Sequence, residues 1–401
     1  MITIQYLEKV PELTQLGEKV VIEKLRAASA RLPFSHLIVG WRLPFNLQEA
    51  CRMEAERLGV RFLRWHPVLT MDVKSKSQSG WQVVGVTGKK VMGYRNMPEF
   101  TFACPNHPEI RETIYRRVED LLREGIYQGF FLDRIRFPSP TIDPLNALGC
   151  FCEHCQRRAD GVGVELERIR KTIINLAGTE QGRVALIQTL LGGNNVPLDE
   201  ESTALLRTFF GFRIQSVREL IGMLSQLLKD HGMEIGLDCF SPSLTAMVGQ
   251  DLRSLSGLAD WIKIMCYAHT LGPAGLPFEL LHLYNYLISV SSLKEPDVFE
   301  LMADALSLPL AGSRKSMESG GISTQALESE VRRGVKASTT PILAGVELVE
   351  IDKIVHLNNA QIESDLAAVK RANAAGLAIS WDLWHTPLDR LDLVRRVYLN
   401  K

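Results

Sequence analysis

The stretch HPEIRETIYRRVEDLLREGIYQGFFLD, residues 107–133, decides the fold. Ile110, Ile114, Val118 and Leu121 recur at helical spacing and share one face. Gly125 then stops the helix, because glycine takes the left-handed conformation that closes a C-terminus. The following GFFLD (129–133) is a short apolar run that ends in an acid. A run apolar on both faces belongs to a strand covered on both sides, as in a parallel sheet.

The same unit recurs in both directions. HLIVGW (36–41) and VRFLRW (60–65) are strands separated by the helix NLQEACRMEAERLG, which Gly59 ends. MEIGLD (233–238), DWIKIMCY (260–267), PILAGVE (341–347) and GLAISWD (376–382) follow. ALSLPLAG (305–312) is a weaker strand, because Pro309 cannot donate to a ladder. Helical patterns at 323–336 and 360–373 precede the last two strands, and LDRLDLVRRVYL is a terminal helix placed to close against the first strand. Some eight strands joined by helix-length connections predict a (β/α)8 TIM barrel. The alternative, an open doubly wound sheet, normally carries a glycine-rich phosphate loop after its first strand, and this chain has none there.

The reading is a single barrel domain over 1–401 with two insertions. At about 70–100, WQVVGVTGKKVMGY predicts a hairpin excursion from the loop after the second strand. At about 156–200, loops and small helices around LGGNNVPLDEE precede the long helix ALLRTFFGFRIQSVRELIGMLSQLLKDHG.

Charge and hydropathy exclude several classes of partner. Of the 401 residues, 46 are Lys or Arg and 46 are Asp or Glu, so there is no basic footprint for nucleic acid. No apolar stretch reaches the roughly 18 residues of a membrane span, and the first residues show no secretory pattern. A cytoplasmic location is the expectation. The seven cysteines, an odd number, point to reduced thiols or a metal rather than a disulfide framework.

CFCEHC (150–155) brings Cys150, Cys152 and Cys155 within two short intervals. Zinc takes four such ligands in a tetrahedron at about 2.3 Å. Cys104, just before the 107–124 helix, is the best fourth ligand, with His107 and His154 in reserve. A saturated four-thiolate zinc would be structural, with no open position for water. Redox chemistry at Cys152 and Cys155 is the competing reading. Cys51, Cys239 and Cys266 read as packing residues.

In a barrel, functional side chains come from the C-terminal strand ends. Those positions supply Asp133, Asp238, Glu347 and Asp382, with Trp41, Trp65, Trp381 and Trp384 beside them, and His66, Arg134, Arg136, Tyr267 and His269 complete the set. Carboxylates among indoles suit a carbohydrate, since an aromatic face stacks on a sugar ring and paired carboxyls do acid/base work. Each position also has a plainer reading: Asp133 paired with Arg134 or Arg136, Glu347 in a rim salt bridge, Asp382 capping the next loop.

With these residues in view, the chain resembles the TIM-barrel glycoside hydrolases. CPNHPEIR (104–111) followed by CFCEHC is similar to the four-cysteine structural zinc site of the family 42 β-galactosidases. That resemblance implies Cys104, Cys150, Cys152 and Cys155 as zinc ligands. GFFLDRIRFPS (129–139), FSPSLTAMVGQDL, DWIKIMCY and the strand at 341–347 resemble a broad group of glycoside-hydrolase-like barrels. This implies a glycoside pocket around Asp133, Asp238 and Glu347, and a homo-oligomer. Family 42 enzymes are expected to carry an Asn-Glu acid/base pair after the fourth strand. The corresponding strand end here reads GLDCFSP, so β-galactosidase activity does not carry over. Glu347 lies where many retaining glycosidases keep their nucleophile. The expectation is therefore a glycosidase with Asp133, Asp238 and Glu347 as catalytic carboxylates. Trp41, Trp65, His66, Arg136, Tyr267, His269, Trp381, Asp382 and Trp384 would line its substrate pocket. A carbohydrate-binding barrel without turnover and another barrel hydrolase or lyase are the alternatives.

Overall fold

A computed structural model describes residues 1–6, 11–40, 42–71, 80–97, 100–310 and 312–400. Eight parallel strands close into a barrel, each paired with the next and the last with the first. They are β1 (Ile2–Tyr6), β2 (His36–Val39), β3 (Arg61–Pro67), β4 (Gly129–Asp133), β5 (Glu234–Cys239), β6 (Trp261–Ile264), β7 (Ile342–Glu347) and β8 (Gly376–Ser380). Thr3 pairs with His36 on one side and Ala378 on the other, which closes the ring.

The helices are α1 (Pro11–Arg31), α2 (Phe45–Leu58), α3 (Pro108–Glu124), α4 (Glu153–Asp160), α5 (Leu166–Ala177), α6 (Glu180–Leu190) and α7 (Glu200–Asp230). There follow α8 (Leu252–Leu255), α9 (Leu276–Val290), α10 (Glu295–Leu306), α11 (Arg314–Gly320), α12 (Thr324–Ala337), α13 (Asn359–Arg371) and α14 (Leu388–Leu393). Ile110, Ile114, Val118 and Leu121 are buried on α3, and Gly125 closes that helix at φ 68°. The long α7 starts at an Asp199 cap, whose carboxylate accepts from Ser202 N at 2.7 Å.

Two strand expectations change. β1 was not anticipated, because ITIQY alternates and never forms an apolar run. Ile2, Ile4 and Tyr6 are buried, and so are the polar Thr3 and Gln5 between them. Among the described residues of 305–312 there is no strand: α10 runs to Leu306, and Ser307 turns the chain at φ 50°. The two errors cancel in the count but shift the order. GFFLD is the fourth strand and MEIGLD the fifth. The excursion leaves after β3, where Val84 bridges Lys90 across the TGKK turn. The β6–β7 connection carries α9, α10 and α11, an elaboration hidden by the false strand.

Two apolar layers result. Ile38, Leu63, Trp65, Phe131, Trp261 and Leu343 form a compact cluster inside the barrel. The larger cluster lies between strands and helices. Trp261 stacks on Phe131 at 5.3 Å and covers Gly236, where a Cβ would lie 2.3 Å from the indole. This packed floor puts any site at the C-terminal mouth. No described helix is long and apolar enough to cross a membrane.

Candidate active site and metal centre

Asp133 ends β4 and Asp238 lies near the end of β5, on neighbouring strands. Asp133 Oδ2 accepts from Trp65 Nε1 at 2.9 Å, and its Oδ1 accepts from the Arg134 amide. Arg134 holds φ 53°, a strained conformation for a residue with a Cβ, directly after the acid. Asp238 is 4% exposed. Its Oδ2 accepts from Lys263 Nζ at 3.0 Å, and its Oδ1 is buried without a partner.

Burial pushes the Asp238 carboxyl up to about 7. Lys263 opposes that rise, the Asp133 charge adds to it, and Arg136 opposes it. Burial lowers the Lys263 ammonium, but the Asp238 carboxylate and Tyr267 outweigh it and the net shift is upward. Lys263 also reaches Gln5 Oε1 at 3.4 Å, and Ser380 Oγ donates to the same oxygen at 2.9 Å. Its ammonium lies 5.3 Å from the Tyr267 ring centre. Burial raises the Tyr267 phenol to about 12. Gly345 makes room for this group, since a Cβ there would stand 2.9 Å from Lys263 Cε.

Lys263, Gln5 and Ser380 were missed from sequence. Lys263 did leave a signal: a lysine within the apolar strand DWIKI is buried only with a partner. Its register partner is Asp238.

Arg136 links this pair to a cavity of about 240 Å³ at the mouth. Its guanidinium lies between Phe102 (4.5 Å) and Phe240 (4.4 Å). Burial lowers it to about 10, against the charges of Glu279, Asp133 and Asp238. Tyr94, Phe100 and Phe278 line the cavity with aromatic surface. Glu279 is committed to structure, accepting from Ser139 Oγ at 2.6 Å and Ala274 N at 2.9 Å.

Glu347 stands apart from this group. Its carboxylate accepts from Ala268 N at 2.9 Å, His269 N at 2.8 Å and Thr270 Oγ1 at 2.8 Å. It anchors the loop after β6, and burial raises its carboxyl. His269 turns towards the helix layer, with Nε2 2.7 Å from Asp365 on α13 and Nδ1 2.9 Å from Gly320 O. Burial lowers the imidazole, but Asp365 and the Glu347 charge raise it to about 9 overall.

The remaining positions divide in the same way. Trp65 is built into the barrel interior and reaches the site through its N–H. Trp381 is half-buried with Nε1 unpartnered. Trp384 sits under Lys24, whose ammonium lies 5.1 Å from its ring centre. Asp382 caps the turn after β8, accepting from Trp384 N at 2.9 Å. His66 points out of the barrel and lines a different cavity. Trp41 lies outside the described residues.

The four predicted cysteine ligands converge. Their sulfurs all lie within 4.8 Å of one another. Cys104 Sγ is 3.4 Å from Cys155 Sγ and 3.7 Å from Cys152 Sγ. Four sulfurs about 2.3 Å from a central zinc would be roughly 3.8 Å apart, so the cluster has the size of a tetrahedral site. Asn106 Nδ2 lies 3.3 Å from Cys155 Sγ and Val84 N 3.4 Å from Cys150 Sγ, donors that suit thiolate acceptors. This cluster could coordinate a metal ion. The His107 and His154 rings lie 3.9 Å apart, tilted at 46°, and neither side chain joins the cluster. The sulfurs tie the entry to α3, the entry to α4 and the excursion together.

No protein-family model matches this chain, and no curated protein matches it. Solved structures share its fold at low identity. The PgaB (BpsB) glycoside hydrolase domain from Bordetella bronchiseptica superposes at TM-score 0.58 with 12% identity, over 99% of this chain and 98% of that one. A β-galactosidase from the psychrophilic Marinomonas ef1 gives 0.53 with 11% identity, over 98% of this chain and 59% of that one. The β-galactosidase from the Antarctic haloarchaeon Halorubrum lacusprofundi gives 0.52 with 12% identity, over 98% and 57%. The chain thus spans less than two thirds of either β-galactosidase. At these identities the likeness is one of fold: the chain shares the (β/α)8 barrel of these structures.

Proposed function

We propose that this barrel hydrolyses a glycosidic bond at its C-terminal mouth, with Asp133 and Asp238 as the working carboxylates. One observation carries the reading. Two carboxyls occupy adjacent strand ends, and one of them is buried, has an unpartnered oxygen and sits near neutrality. Such a group is suited to general acid catalysis. Asp133, already accepting two N–H donors, takes the acceptor role of base or nucleophile. Lys263 holds Asp238 in place, and Arg136 faces both carboxylates from the cavity side. The aromatic wall of Tyr94, Phe100 and Phe278 provides a stacking surface for sugar rings.

The cysteine cluster, in the same reading, holds a structural zinc. Four thiolates leave the metal no open position, so it braces the loops beside the site and takes no part in hydrolysis. Glu347 is a loop anchor rather than the nucleophile.

The test is a glycoside panel on the wild type and three variants. Asp133→Asn and Asp238→Asn should each lower kcat about 100-fold or more. Glu347→Gln should lower stability more than kcat. Full activity in both aspartate variants would remove the assignment. Tight sugar binding with no product would favour a binding barrel.

A further inference from the structure

The inner face of α7 carries Leu206, Phe209, Arg213, Ser216, Leu220 and Leu224, all buried. That spacing is the apolar stripe of a packed helix, and Arg213 and Ser216 interrupt it. Arg213 is fully buried. A guanidinium in such a place is costly unless a negative charge faces it. Its Nη1 donates to Met247 O at 2.9 Å. The rings of Phe137 and Phe209 lie against it, with centres 4.7 and 5.5 Å away. Neither a carbonyl nor a ring cancels a full charge. Its Nε and Nη2 are buried without hydrogen-bond partners, and native structures seldom leave such atoms unsatisfied.

Among the described residues, the charges that act on Arg213 are those of Cys150 and Cys155. Burial lowers the guanidinium to about 9, and the two sulfurs oppose that fall. Arg111 on α3 and Arg158 on α4 are already paired with Glu219. A second contact ties the same stripe of α7 to the cysteines. Asn106 Nδ2 lies 3.3 Å from Cys155 Sγ and 2.9 Å from Ser216 Oγ, so one amide bridges sulfur and helix. Both interruptions of the stripe thus fall where α7 packs beside the cysteine cluster.

We infer that Arg213 is the counter-charge of the metal centre. The inference rests on the reading of Cys104, Cys150, Cys152 and Cys155 as a zinc site. Zinc(II) with four thiolates is dianionic. A buried anion of that kind is stabilised by a cation that shares its low-dielectric surroundings. Val84 N and Asn106 Nδ2 reach two of the sulfurs, but neither carries a charge. Arg213 supplies the charge without being a ligand. Because it stands on the helix that leads into β5, electrostatics as well as packing hold α7 against the cluster. Groups that surround metal ligands in this way set affinity by about 10–100-fold.

Zinc affinity, measured on the full chain by competition with a chromophoric chelator, tests it. The wild type should hold one zinc per chain. Lysine and methionine fill similar volumes and differ in charge, so the pair separates charge from packing. Arg213→Met should raise the zinc Kd about tenfold or more, while Arg213→Lys should stay within about threefold of the wild type. Arg213→Gln keeps a donor for Met247 O without the charge. It should behave like Arg213→Met, and it decides the question where the methionine variant does not fold. Arg207→Met, on the exposed side of α7, should leave Kd unchanged. A neutral variant that binds zinc as tightly as the wild type overturns the inference. So does an equal loss in Arg213→Lys, which would leave only a packing role. A wild type that binds no zinc overturns the zinc reading itself, and this inference with it.

Discussion

Replacing Lys263 with Met should destabilise the protein in a way that depends on pH, through Asp238. The lysine stem lies within the barrel, and Met reproduces most of its apolar volume. What disappears is the ammonium 3.0 Å from Asp238 Oδ2. Asp238 Oδ1 already lacks a partner, so the ionised carboxylate would be left alone in the interior. Removing one member of a buried pair costs about 3–5 kcal/mol. That cost applies only while Asp238 is ionised. Below about 7, the folded wild type already holds a proton there, and the two proteins should differ by less than about 1 kcal/mol. Above it, the folded variant keeps a proton that the folded wild type has released. The unfolded chain releases that proton near 3.9 in both. The gap should therefore widen at up to about 1.4 kcal/mol per pH unit until the full cost is reached. Urea unfolding followed by tryptophan fluorescence at pH 5.5, 7 and 8.5 measures it. Adding Asp238→Asn to Lys263→Met should recover most of the loss at pH 8.5. A loss independent of pH, or no recovery in the double variant, would refute the pairing.

Metal analysis should find one zinc per chain, and Cys152→Ser should abolish it and lower Tm through several kcal/mol of lost binding energy. Unchanged zinc in that variant would remove the cluster as the site. His269→Gln tests the clamp on the β6–β7 side. The folded imidazole titrates at about 9, above the usual 6.5. Its stabilisation is therefore full below about 6.5 and lost as pH rises through about 9. The wild type should exceed the variant by on the order of 3 kcal/mol at pH 6, and by little at pH 10. Equal unfolding free-energy differences at both pH values would show that His269 carries no such charge.

Several features were legible in the sequence because they depend on neighbours along the chain. The 3.6-residue apolar period of α3 and its closing Gly125 are of this kind, as are the apolar runs of β4, β6, β7 and β8. β1 shows the limit. Its alternating ITIQY carries polar residues because Thr3 and Gln5 are both buried, Gln5 beside Lys263 and Ser380, a setting no local pattern reveals. Residues 305–312 show the opposite failure, where the apolar end of α10 and the turn after it look like a short strand.

The site divides along the same line. CFCEHC pointed to the cysteine cluster by itself, because three of its four thiols lie within six residues and geometry leaves them little choice but to converge. The barrel and the carboxylates at its strand ends were likewise within reach of the sequence alone. Which of those carboxylates lie close together was decided only by the closed sheet. Register puts Lys263 beside Asp238 and brings Asp133 to the neighbouring strand end. The loop at 268–270 folds over Glu347 and takes up its oxygens, and the outward face of β3 carries His66 away from the mouth. The physical reason is that charge pairing and desolvation depend on distances of 3–4 Å between residues far apart in sequence. Only the closure of the barrel sets those distances.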